Sequence, residues 1–178
     1  MLGNGRPFVV EVKQPKIRNL NLIDLENKIN TSSNRRIDVV LSGISNRMTI
    51  RQLKGESSQV AKRYRMKIQT QKEVNWDIER IKNELVCKIM QKTPKRVLHR
   101  RADLTREKKV HSIELNIISS NQAEIEVFCQ GGLYVKELIH GDEGRTIPSL
   151  AQILETEIKV LYLDVLEVKG LQLEIKSE

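Results

Sequence analysis

The chain has 178 residues, about one domain's worth of sequence and enough to bury a core without disulfides or metals, so it reads as one globular unit. Hydrophobic residues make up 39% and charged residues 30%, with 31 Lys and Arg against 23 Asp and Glu, a net charge of +8 and a pI near 9.6. This excludes an acidic disordered chain and favours a polyanionic partner, while one Trp, three Tyr and two Phe are too few for an RNA-recognition sheet that stacks several bases on aromatic rings.

Pro7 to Val12 is a short apolar run rich in β-branched residues and reads as a strand ending at Pro15. Asn21 ahead of Leu22, Leu25 and Ile29, with Asp24 in the first turn, predicts a short capped helix. Thr31 to Asn34 is turn-like, and Ile37 to Leu41 reads as a second strand closing at Gly43. Arg47 to Gln71 is mixed in pattern and assigns no element. Val74, Ile78, Ile81 and Leu85 recur at helical spacing behind Asn75 and Asp77, predicting a helix over this stretch. Ile113, Leu115 and Ile117 alternate with Glu114 and Asn116, and Ile125, Val127 and Cys129 with Glu124 and Glu126. These are expected to be two strands paired antiparallel through a turn at Ser119 to Gln122, the second ending at Gly131 and Gly132. A helix is expected to begin at Pro148, with Leu150, Ile153 and Leu154 on one face. Ile158 to Val168 is nearly continuous apolar sequence, as expected of a strand covered on both faces. The fold class is α/β, or α+β, with a mixed, mostly antiparallel sheet and flanking helices.

Cys87 and Cys129 lie far apart and form no CxxC pair, so they read as reduced thiols of a cytoplasmic protein. The start, MLGNGRPFVVEV, has no basic region followed by an apolar core, and no apolar run approaches membrane-spanning length. A soluble, intracellular protein with no membrane partner is expected. No Walker loop, dinucleotide fingerprint, HExxH or nucleophile elbow occurs, and His99, His111 and His140 are too scattered for metal ligands. Neither a metal nor a nucleotide cofactor is expected.

Charge is unevenly distributed. Residues 1–87 carry a net +8, residues 88–109 a net +7, and residues 110–178 a net −7. The densest basic stretch, from Lys88 to Lys109, offers Lys92, Lys95, Arg96, His99, Arg100, Arg101, Arg106 and Lys108 as candidate RNA-phosphate contacts. The bland alternative is a solvated face. Seven net charges in one stretch repel one another unless an anion binds there, which favours the phosphate-binding alternative.

Three stretches, GNGRPFVVEV at 3–12, QKTPKRVLHRRADL at 91–104 and GGLYVKELIHGDEGRTIPSL at 131–150, precede the apolar LDVLEV at 163–168. In that order and spacing they closely resemble the C-terminal catalytic domain of the archaeal and eukaryotic tRNA pseudouridine synthase family that modifies uridines in the T arm. The resemblance implies a pseudouridine-synthase-like fold and a cofactor-independent isomerisation of tRNA. In it, uracil is detached from ribose at nitrogen and reattached through carbon, after the nucleotide is flipped into a pocket where an aspartate carboxylate is essential. Tyr134 matches the family tyrosine that stacks on the flipped base and is assigned proton transfer, and Lys136 matches the basic residue that pairs with the catalytic aspartate. If the chain leaving the Cys129 strand is still extended, Tyr134 and Lys136 project from one face and line a single pocket. The bland alternative packs Tyr134 on Leu138 in a helix and leaves Lys136 a surface charge.

The family's catalytic aspartate lies in a segment running Arg-Glu-Asp-x-Asp-Val-Arg shortly before GNGRPF, whereas this sequence starts at Met1-Leu2-Gly3. The nucleophile is therefore expected to lie outside residues 1–178, which read as a partial catalytic domain. The family's N-terminal RNA-binding domain with its cysteine-ligated zinc is expected to be absent as well. Asp142 matches a different family position, and Asp24, Asp38, Asp77, Asp103 and Asp164 sit in segments that do not carry the nucleophile. A truncated reading frame, a split enzyme completed by another segment or subunit, and a remnant that binds RNA without modifying it remain as alternatives, with truncation favoured.

Overall fold

The computed structural model describes residues 7–34, 36–57 and 60–169. They divide into two compact units, Pro7–Lys54 and the residues from Gly55 onward. GNGRPF lies largely outside the described residues.

In the first unit, helix α1 spans Leu22–Ser32 behind the expected cap. The Asn21 carboxamide oxygen accepts from the N–H groups of Ile23 at 3.1 Å and Asp24 at 3.3 Å, satisfying two of the first-turn donors. Helix α2, Arg47–Ser57, starts the same way, with Asn46 accepting from Met48 N–H at 2.9 Å and Thr49 N–H at 3.1 Å. The strands expected at 7–12 and 37–41 do not form, and both stretches are irregular. A strand exists only through its ladder, and among the described residues neither segment takes part in one. The backbone of 37–41 is held by side chains instead. Val39 N–H donates to Asn30 Oδ1 and Asn30 Nδ2 donates to the Val39 carbonyl, both at 2.9 Å, while Leu41 N–H donates to Glu26 at 2.7 Å.

The second unit is a six-stranded sheet with helices on one face. Its elements are β1 (Lys62–Thr70), α3 (Ile78–Leu85), β2 (Lys88–Lys92), a 3-10 turn at Lys95–Arg100, β3 (Thr105–Ser119), β4 (Gln122–Cys129), α4 (Val135–His140), β5 (Thr146–Ile147), α5 (Leu150–Ile153) and β6 (Ile158–Val168). The strand order is β5-β2-β3-β4-β1-β6, with every pairing antiparallel. The expected hairpin is β3–β4, with Ile113 opposite Val127, Leu115 opposite Ile125 and Ile117 opposite Ala123. This register puts the alternating apolar side chains on one face. There Met66, Ile68, Ile113, Ile125 and Val127 pack against Ile81 and Leu85 of α3, Leu138 and Ile139 of α4, and Leu150 and Ile153 of α5.

Three expectations are corrected. The helix read from Val74 starts at Ile78, because Asp77 accepts from Arg80 N–H at 3.0 Å as its cap, while Val74 N–H donates to the Ser120 carbonyl at the hairpin turn. The helix placed at Pro148 starts two residues later, capped by Ser149. The apolar run of β6 is not covered on both faces. Among the described residues it forms the edge of the sheet, laddered only to β1, and leaves Leu161 and Tyr162 exposed. Length and apolarity alone do not distinguish an edge strand that uses Ile158, Val160 and Leu163 for the core from a central one. Among the described residues, no helix is long and apolar enough to cross a membrane.

Cys129 has no exposed surface, and burial pushes its thiol up to about 12; Cys87 is partly exposed and raised by burial as well. At about pH 8, near the ordinary thiol value, a maleimide is expected to label Cys87 and spare Cys129 until the chain is unfolded. Peptide mass spectrometry reads this directly, and equal labelling of both thiols in the folded chain would contradict the burial of β4.

Candidate functional site

The two long motifs meet because β3 serves two partners. Its first residues pair with β2, from Lys88 opposite Lys109 to Lys92 opposite Thr105, and from Val110 onward it pairs with β4. β2 and β4 flank β3 and both run antiparallel to it, so the basic segment leaving β2 and the segment leaving β4 head in the same direction. Thr93, fully buried, closes the first of them into a loop. Its N–H donates to the Leu104 carbonyl at 2.9 Å, and its hydroxyl donates to the Ala102 carbonyl at 2.7 Å and accepts from Leu104 N–H at 3.1 Å. Arg145, from the second motif, donates to the Thr93 carbonyl through Nε at 3.1 Å and Nη2 at 2.9 Å, and pairs with Asp103 across the loop.

Tyr134 stands at the N-cap of α4 with φ −85° and ψ 92°. Both of its backbone polar groups are held by Gln91 on β2. Tyr134 N–H donates to Gln91 Oε1 at 2.9 Å, and Gln91 Nε2 donates to the Tyr134 carbonyl at 3.0 Å. Around the side chain, Arg101 donates to the Tyr134 hydroxyl at 3.1 Å and the Arg96 guanidinium lies 5.8 Å from the ring centroid. Arg96 is itself fixed by Glu137, whose side chain is 2% exposed, through Nε at 2.7 Å and Nη2 at 3.4 Å. The hydrogen bond to Glu137 raises the Arg96 pKa further above its ordinary value. Nearby, Lys95 N–H donates to Asp142 at 3.0 Å, and the Lys95 ammonium pairs with Glu143, holding that carboxyl below its ordinary value. A depression of about 350 Å³ beside α4 is lined by His140, Glu143, Ile147, Ser149 and Gln152, and includes neither Tyr134 nor Lys136.

Residues 1–169 match the family described as "Pus10, C-terminal". The chain belongs to that family. Among its relatives, the tRNA pseudouridine synthase Pus10 of Korarchaeum cryptofilum is 45% identical over 169 residues, covering 94% of this chain and 45% of the relative. The protein of the same name from Methanopyrus kandleri is 44% identical over 169 residues, covering 94% of this chain and 39% of the relative. The chain thus spans less than half the length of these relatives. A solved Cbf5-Nop10-Gar1 complex contains a chain similar over 66% of this chain and 33% of its own length, with a TM-score of 0.52 and 23% identity, a likeness of fold alone.

In this Pus10 C-terminal chain the extended geometry expected for Tyr134 and Lys136 does not occur. Helix α4 begins at Val135, so residues two apart diverge: the ring meets Arg96 and Arg101, while Lys136 is exposed and makes no hydrogen bond or ion pair among the described residues. The basic stretch separates into two classes. Lys95 and Arg96 are tied to Glu143 and Glu137, Arg106 donates to Thr93 Oγ1 at 3.2 Å, and Lys108 donates to the Gly131 carbonyl at 3.0 Å. The side chains of Lys92, His99 and Arg100 are exposed and have no hydrogen-bond or ion-pair partner among the described residues, and that of Arg101 bonds to the tyrosine hydroxyl. Sequence reasoning did not single out Gln91, Thr93, Glu137 or Arg145. All four lie inside the quoted motifs, but a polar residue on a β2 position or in the first turn of α4 carries no sign of burial until the partner segment is in place.

Arg96→Ala leaves Glu137 buried without its cation and should cost about 2 kcal/mol in urea unfolding, discounted from a fully buried pair because the guanidinium is about half exposed. Adding Glu137→Leu should recover most of that loss; no recovery would show that Arg96 acts by packing alone. The Glu143 carboxyl is lowered from 4.5, so its pair with Lys95 is complete at neutral pH and is lost as pH falls through the lowered value. In carboxyl-carbon NMR titration, Lys95→Gln is expected to return Glu143 toward 4.5.

Proposed function

We propose that residues 1–178 form part of the catalytic domain of a cytoplasmic tRNA pseudouridine synthase acting on T-arm uridine, with the nucleophilic aspartate supplied from outside these residues. The observation that carries this reading is the convergence of the two motifs on Tyr134, whose backbone is held by Gln91 and whose ring and hydroxyl meet Arg96 and Arg101. Flipping a uridine out of its stack costs a few kcal/mol, which stacking on an aromatic ring and phosphate contacts offset. In this reading the N-glycosidic bond breaks, a carbon–carbon bond forms, the carbon loses a proton and the nitrogen gains one, so no cofactor is consumed. Tyr134 stacks on the base and serves the proton transfer. Lys136, exposed and unpaired among the described residues, keeps the incoming carboxylate ionised. Lys92, His99, Arg100 and Arg101 form the part of the basic strip that faces RNA phosphates, with Lys95, Arg96, Arg106 and Lys108 behind it.

The test is to join the chain to the upstream portion of the Korarchaeum relative and assay pseudouridine in T-arm RNA. The joined protein should be active and residues 1–178 alone inactive; turnover by the 178 residues alone would overturn the assignment of the nucleophile. Tyr134→Phe in the joined protein should abolish most turnover with RNA affinity largely kept. RNA binding without turnover in the joined protein would favour a non-catalytic RNA-binding role. Arg100→Glu should weaken RNA binding and flatten its log–log salt dependence by roughly 0.9 for a duplex phosphate contact, and an unchanged slope would return the strip to an ordinary solvated face.

A further inference from the structure

Gln91 occupies a β2 position whose neighbour on the same face, Ile89, belongs to the hydrophobic core. An apolar side chain there would bury itself with no polar group to satisfy. Gln91 is instead 1% exposed, and both ends of its carboxamide are engaged: Oε1 accepts from Tyr134 N–H at 2.9 Å, and Nε2 donates to the Tyr134 carbonyl at 3.0 Å and to Thr146 Oγ1 at 3.2 Å. The Tyr134 carbonyl also accepts from Leu138 N–H at 3.1 Å within α4, whereas Tyr134 N–H has no other acceptor among the described residues. Tyr134 lies in no ladder and caps its helix without a side-chain bond. The amide of Gln91 therefore serves Tyr134 as a strand neighbour would, reaching across from β2.

We infer that Gln91 is a positioning residue: it fixes the φ and ψ of Tyr134 and so sets where the ring and hydroxyl stand before RNA arrives. The inference rests on the role proposed above for Tyr134. Small rotations at the Tyr134 backbone are amplified at the far end of the ring, and a misplacement of about 1 Å at a reacting group can cost on the order of a hundredfold in rate. The Arg101 bond to the hydroxyl cannot replace this hold, since Arg101 is exposed and belongs to the part of the strip proposed to meet phosphate. Thr146, on β5 opposite Gln91, keeps the amide from rotating.

Gln91→Met retains length and volume and removes all three hydrogen bonds. In the 178-residue chain it should speed Tyr134 amide exchange by roughly a hundredfold and shift the Tyr134 ring resonances, with Ile125 exchange unchanged. In the joined protein it should lower kcat on the order of a hundredfold with KM within about threefold. Thr146→Val removes a single bond of the amide and should give a smaller change of the same kind, which serves if Gln91→Met does not fold. Leu85→Ala, which opens space between α3 and the sheet, should lower stability without lowering kcat per folded molecule. Unchanged Tyr134 signals in Gln91→Met, or equal kcat losses in Gln91→Met and Leu85→Ala at matched stability, would overturn the inference. If the unsubstituted joined protein makes no pseudouridine, the proposed function fails, and the positioning of Tyr134 by Gln91 stands or falls on the exchange and ring signals.

Discussion

Strand β3 runs for 15 residues, about 50 Å at the usual rise, while β2 has 5 residues and β4 has 8. Because the ladder to β2 ends at Lys88 opposite Lys109 and the ladder to β4 begins at Val110 opposite Cys129, one continuous strand carries both halves of the sheet. Everything at the candidate site depends on that shared backbone. It holds β2, which ends at Lys92, on one flank and β4, which ends at Cys129, on the other, both antiparallel to it, and the two motifs that follow them then bond to each other through Gln91, Arg96, Arg101 and Arg145. The buried Thr93 and the Arg145 bonds to its carbonyl then close the basic loop against the segment after α4.

Carboxamide side chains stand in twice for missing ladder partners. Asn30 holds both backbone groups of Val39 at 2.9 Å, and Gln91 holds both backbone groups of Tyr134 at 2.9 and 3.0 Å. A carboxamide presents a donor and an acceptor at the spacing of a peptide group, so it can pair with an irregular residue that no strand reaches. At Tyr134 this gives a defined backbone to a residue between sheet and helix, without placing the ring in the sheet. Backbone groups in irregular stretches need partners as much as those in strands, and side chains are what supply them here.

The basic strip carries a net +7 over residues 88–109, but the acidic third meets it directly. Glu137 takes Arg96 and Glu143 takes Lys95. The charge that self-repulsion would assign to an external anion is therefore partly balanced within the chain. What remains without a side-chain partner among the described residues is smaller: Lys92, His99, Arg100 and Lys109, with Arg101 on the Tyr134 hydroxyl.

By itself the sequence determined the capped helix at Asn21, the antiparallel β3–β4 hairpin, and the motifs that place the chain in the Pus10 C-terminal family, because each is written in local periodicity, capping or a long contiguous motif. Ile37 to Leu41 and Pro7 to Val12 have strand composition without strand structure, since a ladder needs a second edge that composition does not reveal. Only the tertiary structure decided that β6 is an edge strand among the described residues, that Tyr134 ends a loop and starts a helix, and that Lys136 is exposed with no ion pair among those residues. Only it decided which cations of the strip are already paired, because Arg96 and Glu137 are 41 positions apart and their contact follows from the course of β3 between them.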